Sequence, residues 1–458
     1  MTTRRRTYPS LRASKIPRLA TVPSHWSEKR LRYVADLRLS NVDKKSVDGQ
    51  EAVLLCNYTD VYYNERISAE LPFMEATATQ DQIQRFSLRR GDVLITKDSE
   101  TADDIAVPSV VAEDLSGVVC GYHLAVARPL NGLFGPFLAR ALSVSPVRDQ
   151  LFSAANGVTR FGLGRADIGT AVVPLPPEHE QRAIAAFIDL ETGRIDALIQ
   201  RKRRLSALMQ EKRQSLISHA VESGLNASVE RRDSGVAGLG AVPKHWSVAK
   251  CRRFATVLPG FAFPSVGFST DETQTRLLRG VNVGVGEINW GDVVYWQREP
   301  SDGLERYELH DGAIVFGMDR PLISGGIRVA RIQRPDLPCL LLQRVAAIST
   351  TSQLSADFLY LVLRSKRFAD YFTPELTGVS VPHISPEQIL AFDVPVPPLH
   401  EQGEIVAFVN ERVAKIEALC ERCKASIALL MEQRAALIAA AVTGQIDVRE
   451  SADVREAA

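Results

Sequence analysis

Two stretches of the chain, 178–224 and 399–444, place apolar residues at alternating steps of three and four. In the first the stripe is Ile184, Phe187, Ile188, Ile195, Leu198, Leu205, Leu208, Met209, Leu216 and Ala220. In the second it is Ile405, Phe408, Val409, Ile416, Leu419, Cys423, Ile427, Leu430, Leu437 and Ala441. A mean step near 3.5 held for about five heptads predicts two long helices with a coiled-coil seam. Each begins just after a Pro-Pro pair, which a helix interior excludes, and Glu178, Glu180 and Glu401 suit a first turn. Gly224 and Gly444 are the expected stops. At 1.5 Å per residue each helix is a rod of roughly 70 Å, too long to bury in one domain, so the two are expected to pair antiparallel.

Elsewhere the apolar runs are short. VLITK (93–97), HLAVA (123–127), AIVFG (313–317) and RVAAIS (344–349) have the β-branched content of strands. FGPFLARALSVSPVRDQLF (134–152) and SADFLYLVLRSKRFADYF (355–372) carry helical spacing. This mixture predicts an α+β domain of roughly 150 residues, present twice.

The chain repeats itself. VPLPPEHEQ at 173–181 returns as VPVPPLHEQ at 394–402, and VPSHWS at 22–27 as VPKHWS at 242–247. LRRGDVLITKD (88–98) aligns with LHDGAIVFGMD (309–319), and Gly157 with Gly378. All four landmarks recur 220 or 221 residues later. Each half reads as a VPxHW entry, a mixed globular segment, a PPxxEQ phrase and a long helix. The resulting division is a first globular domain over 1–172, a helical region over 173–226, a second globular domain over 227–393, and a helical region with a tail over 394–458.

Composition narrows the class. Lys and Arg (55) balance Asp and Glu (54), so affinity for nucleic acid must come from local patches. Six scattered cysteines suit a reducing interior. The basic opening MTTRRRTYPSLRASKIPR lacks the apolar core of a signal peptide, and no apolar run approaches the roughly 18 residues of a membrane span. The expectation is a soluble cytoplasmic protein.

With its two PPxxEQ phrases and their helices, the lead RRDSGVAGLGAVPKHW (231–246) and the tail TGQID (443–447), the chain resembles the specificity subunit of type I restriction-modification systems. The resemblance implies two target-recognition domains, separated by antiparallel helices in a pseudo-twofold repeat. Each domain would read half of a split, asymmetric DNA target. It further implies two modification subunits carrying S-adenosylmethionine, and two restriction subunits that use ATP and Mg. This chain is expected to hold no cofactor. GxxxxGK(S/T), (D/N)PP(F/Y/W) and a strand-borne glycine-rich fingerprint are all absent from the sequence. Two other classes compete: an enzyme with an unfamiliar site, and a coiled-coil adaptor that binds only proteins.

Base readout uses Arg on guanine and Asn or Gln on adenine, while phosphate contacts supply affinity. The candidate DNA contacts are Arg89, Arg90, Lys97, Thr159, Arg160 and Arg165 in the first half. In the second they are Arg320, Ser324, Arg328, Ser380 and His383. The bland alternative for each is a solvated charge or a cap. The run 201–204 (RKRR) is a polar helix face, or it meets phosphate or an acidic partner. Cys420 and Cys423 lack a second ligand pair and read as packing, as do Trp26 and Trp246. His179 and His400 are placed to cap or hydrogen-bond at the helix starts.

Overall fold

The computed structural model describes residues 6–130, 132–323, 325–376 and 382–449. The second glycine of the Gly157 and Gly378 pair therefore lies outside the described residues. The chain divides into two compact units, residues 1–201 with 426–458, and residues 202–425. Each unit takes in half of each long helix.

In unit 1 the strands Ala35–Leu39, Leu124–Pro129, Val93–Thr96, Pro108–Val111 and Arg66–Ile67 form one sheet in that order. Its pairs are antiparallel except the last, which is parallel. A second sheet orders Val118–Cys120, Glu51–Cys56 and Met74–Ala78. The helix-like stretch 134–152 resolves into two helices, Gly135–Ser143 and Ser145–Ala154, with proline at the second position of each. Phe137, Leu138, Val147 and Leu151 bury against the sheet side of the core.

Unit 2 repeats the plan. Ala255–Pro259, Val345–Thr350, Ile314–Gly317 and Val329–Arg331 make its main sheet, with Val294–Trp296, Thr275–Leu278 and Cys339–Leu341 in the second. Its paired helices are Ala356–Leu363 and Lys366–Leu376. Even the N-terminal lead matches: a hairpin of Leu11–Ala13 with Thr21–Pro23 answers one of Arg231–Asp233 with Ala241–Pro243.

The first long helix is Glu178–Ser223 and the second is Leu399–Val442. In unit 1 Ile184 and Ile188 from the start of the first helix share a core with Leu437, Ile438 and Ala441 from the end of the second. Arg434 Nε lies 3.0 Å from Asp196 Oδ1. In unit 2 Ile217, Ala220 and Val221 share a core with Ile405, Val409 and Val413. There Arg213 pairs with Glu417 at 3.4 Å, and Gln210 donates to Cys420 Sγ at 3.6 Å. The helices thus run antiparallel within one chain in both units.

The seam is less regular than the stripe predicts. Leu198, Leu205, Leu208 and Leu419 are exposed, while Ile199, outside the predicted stripe, is buried. The head packs on the same helix as the partner does, so burial follows both surfaces and not the two-helix seam alone. One further expectation needs correcting. The second long helix is long and apolar enough to cross a membrane by length and composition alone. Glu432 and Arg434 interrupt the run, which hid it from a search for unbroken apolar residues.

The repeated PPxxEQ phrase does its work through its last two residues. Gln181 is fully buried. Its amide nitrogen donates to the carbonyls of Gly132 (2.7 Å) and Pro176 (2.8 Å), and its oxygen accepts the Phe134 N–H at 2.8 Å. Gln402, equally buried, donates to Gln353 O (3.1 Å) and Pro397 O (2.8 Å) and accepts the Ser355 N–H at 2.7 Å. The preceding glutamates hold the VPxHW entries. Glu180 accepts from the Tyr8 hydroxyl and lies 2.8 Å from His25 Nε2. Glu401 lies 2.8 Å from His245 Nε2 and accepts the Trp246 indole N–H at 3.0 Å. His179 and His400 are exposed, so the anchoring falls to their neighbours.

The helix stops complete the anchor. Gly224 and Gly444 have φ of +73° and +70°, a region open to glycine at little cost. A Cβ at Gly444 would come within 2.3 Å of Pro23, and one at Gly224 within 3.0 Å of the Trp246 ring. Trp26 and Trp246 are both buried, as packing requires.

Removing either glutamine takes the partner from one buried backbone carbonyl, that of Pro176 or Pro397, and from two part-buried backbone groups. A buried group left so costs about 1–3 kcal/mol and a part-buried one less. Gln181→Leu and Gln402→Leu should therefore each lower stability by roughly 2–5 kcal/mol in a urea titration. A loss below about 0.5 kcal/mol, the size of an ordinary surface change, would show that the phrase is not an anchor.

Candidate nucleic-acid interface

At the end of the central strand Val93–Thr96 the chain turns through Lys97 and Asp98. The Lys97 N–H donates to His123 O at 3.0 Å, and Leu163 N–H donates to Lys97 O at 2.8 Å. The same frame recurs in unit 2. Met318 N–H donates to Arg344 O at 2.9 Å, and Ile384 N–H to Met318 O at 2.9 Å. Asp98 pairs in the sheet with Gly162, and Asp319 pairs with His383.

Each aspartate gathers basic side chains on this frame. Asp98 Oδ2 lies 2.8 Å from Lys97 Nζ and 2.8 Å from His123 Nδ1. Arg160 Nη2 lies 3.3 Å from His123 Nδ1. The Lys97 ammonium sits 4.8 Å from the centre of the Tyr122 ring, a cation–π distance. Burial works to raise the Asp98 carboxyl. Hydrogen bonds from Lys97 and His123, reinforced by their charges, outweigh it and hold the group below the ordinary carboxylate range. In unit 2 Asp319 Oδ1 lies 2.7 Å from His383 Nδ1 and 3.6 Å from Arg344 Nη1.

Aromatic rings flank the first cluster. Tyr58 and Tyr62 stack at 5.5 Å, and the Tyr62 hydroxyl donates to the Asp104 carboxylate at 2.9 Å. Tyr63 is 77% exposed, and Tyr122, which lies against the Lys97 ammonium, is 50% exposed, so apolar ring surface stands in solvent here. Rings and cations so placed can stack on bases, meet a thymine methyl, or hydrogen-bond base edges.

The sequence-chosen residues fall into different settings. Lys97 and Arg160 belong to the Asp98 cluster, and exposed Thr159 adjoins Arg160 in its loop. Arg89 and Arg90 are exposed in the turn before the same strand, at its other end, where their N–H groups donate to Asp92 and Asp114. Arg165 opens the helix Arg165–Thr170, exposed and 4.0 Å from Asp36. Arg320 has a left-handed φ of +43° and its N–H donates to Pro382 O, which leaves its side chain exposed beside Asp319. His383 is in the Asp319 cluster. Ser324 and Ser380 lie outside the described residues.

Arg328 is spent internally. Its guanidinium donates to the carbonyls of Val283 (2.8 Å), Asp319 (3.3 Å) and Gly280. Desolvation lowers its pKa, ahead of the opposing pull of Asp319.

Sequence reasoning missed Asp98, Tyr122 and His123 in unit 1, and Asp319 and Arg344 in unit 2. A signal was there. The aligned landmarks both end in aspartate, and the strand segments HLAVA and RVAAIS both open on a basic residue.

A carboxylate with a depressed pKa stabilises the fold above its unfolded-state pKa, near 4, and that contribution is lost as pH falls through the lower folded value. The wild-type advantage over Asp98→Asn should be roughly 1–2 kcal/mol at pH 7 and should shrink on acidification below about pH 4. Urea titrations across pH measure it. A gap between the two proteins that stays constant down to pH 3 would contradict the assigned charge state.

Residues 290–424 match a family model described as the type I restriction modification DNA specificity domain. The chain is 35% identical over 173 residues to the type I restriction enzyme EcoAI specificity subunit of Escherichia coli, across 38% of this chain and 29% of that one. It is 26% identical over 281 residues to the MjaVIII specificity subunit of Methanocaldococcus jannaschii, across 60% and 62%. The matches thus span less than two thirds of either relative. Among solved structures, the fold is shared with a chain from a study of complex assembly and conformational transition of the type I R-M system. That likeness has a TM-score of 0.68 at 16% identity and covers 93% of this chain and 99% of that one. The HsdS subunit from Thermoanaerobacter tengcongensis gives 0.50 at 18% identity, over 93% and 98%. The domain match and the named relatives agree in likening this chain to type I restriction-modification specificity subunits, and the solved structures share its fold.

Proposed function

We propose that this chain is the non-catalytic, DNA-reading subunit of a type I restriction-modification assembly. The recognition domains 1–172 and 227–393 each read one half of a bipartite, asymmetric target. The helical regions 173–226 and 394–458 set the unread gap and dock two modification subunits. Two restriction subunits complete the assembly, which works on cytoplasmic DNA. S-adenosylmethionine, ATP and Mg belong to those partners.

One observation carries the reading: the aspartate frame is common to both heads, while its basic partners differ. Lys97, His123 and Gly162 stand where unit 2 has Met318, Arg344 and His383. A pure adaptor has no use for a fixed frame with exchanged polar side chains. A reader of two different half-sites requires it, because each base edge presents its own pattern of donors and acceptors. Within the proposal Lys97, Thr159 and Arg160 read one half-site, and Arg320 and His383 the other. Ser324 and Ser380 stay as candidates in the loops beside them, and Arg328 shapes the second cluster from beneath.

Selection from a library of random duplexes, using the chain assembled with its modification subunits, tests this. Lys97→Ala with Arg160→Ala should relax preference at one half-site by about 1–3 kcal/mol per lost base contact, and leave the other unchanged. Arg344→Ala with His383→Ala should do the converse. Equal relaxation of both half-sites by either pair would contradict the reading.

A further inference from the structure

At the far end of the strands that carry the Asp98 cluster, unit 1 has a second basic surface. Arg38, Arg85, Arg89, Arg128 and Arg165 line one concavity, with Asp36 as its acidic member. The guanidiniums divide into two kinds. Arg38 is held by Asp36 and by the Arg85 carbonyl, and Arg128 by a two-pronged pair with Asp92 at 2.7 and 2.8 Å. These two build the floor. Arg85, Arg89 and Arg165 are exposed at the rim. Arg165 is 4.0 Å from the nearest carboxylate, and Arg85 is 3.5 Å from Asp81, which is itself exposed. Such pairs give way to a stronger anion at little cost.

The basin is not part of the repeated frame. Arg38 pairs across the sheet with Val126, and its counterpart in unit 2 is Leu258, which pairs with Ala347. By the same repeat, Arg85, Arg89, Arg128 and Arg165 correspond to Arg306, His310, Ser349 and Pro386. Four of the five arginines are therefore absent from unit 2. Charge retained on one copy and dropped from the other is not needed to build the fold.

We infer that this basin is a phosphate-binding surface for the DNA backbone, used by unit 1 and not by unit 2. The inference rests on the proposed DNA-reading function. A four-residue strand, roughly 13 Å, separates the basin from the Asp98 cluster. One duplex can span that distance, with bases met at one end and backbone at the other. Arginine forks match phosphate oxygens, and exposed guanidiniums stand at the rim of an open concavity whose apolar members are Leu37, Leu39, Pro129 and Leu130. The two half-sites consequently contribute unequally to affinity: the unit 1 side supplies most of the salt-dependent binding.

The test uses the full chain and a mixed-sequence 40-base-pair duplex, with affinity measured by fluorescence anisotropy over graded KCl. Each phosphate contact contributes about 0.9 to the slope of log affinity against log salt. Arg85→Gln, Arg89→Gln and Arg165→Gln together should flatten the slope by about 2–3. Arg306→Gln with His310→Gln in unit 2 should flatten it by about 1 or less. All five sites are made and also tested singly, with thermal melts alongside, so that a folding defect in a combined variant does not decide the result. An unchanged slope in the unit 1 triple and its singles overturns the basin while leaving DNA reading intact, and points instead to an acidic protein partner. Equal flattening by both sets overturns the asymmetry. Wild-type chain that shows no salt-dependent binding, alone or with its modification subunits, defeats the DNA-reading function on which the inference rests.

Discussion

Everything in this chain hangs from a buried glutamine at the root of each long helix. A helix of 44 or 46 residues cannot be positioned by its own propensity, and packing along one stripe leaves it free to slide by a turn. Gln181 and Gln402 remove that freedom by filling three hydrogen bonds with the backbone of their heads. The neighbouring glutamates fasten the VPxHW entries to the same first turn. Buried polar groups are costly unless fully paired, so only one register of helix and head satisfies them. That is the physical reason for writing the same phrase twice.

The two copies of the anchor are not identical, and the difference is instructive. In unit 1 both oxygens of Glu180 are engaged, by Tyr8 and His25, and the Trp26 indole nitrogen has no partner among the described residues. In unit 2 one oxygen of Glu401 serves both His245 and Trp246. Burial, followed by the hydrogen bond to Glu180, pushes the Tyr8 hydroxyl far above its ordinary pKa, so it remains a donor. The frame tolerates exchange of a partner provided the carboxylate stays filled.

What the sequence showed and what it hid follow one rule. Features set by neighbours in the chain were legible: helix starts after Pro-Pro, glycine stops, and strands such as Ile314–Gly317. The repeat exposed the α+β plan of both heads and their antiparallel helices. Features set by distant partners were not. Arg328 looks like a free reader, yet it bonds carbonyls 45 and 48 residues upstream. His179 and His400 look chemically richer than the residues beside them, but Glu180, Gln181 and Gln402 are the buried ones. The Asp98 and Asp319 clusters assemble from segments some 25 to 64 residues apart, brought together by strand pairing. Only the repeat register pointed to them.

The central claim is that each head is an independent reader mounted on a common frame. Exchange of residues 1–172 for the corresponding segment of a known type I specificity subunit tests it most directly, with the join placed before PPxxEQ so that both anchors survive. Target preference of the assembled complex is then measured against a library of split sites. The account predicts that one half-site changes to that of the donor, while the other half-site and the gap remain. A simultaneous change in both half-sites would contradict it.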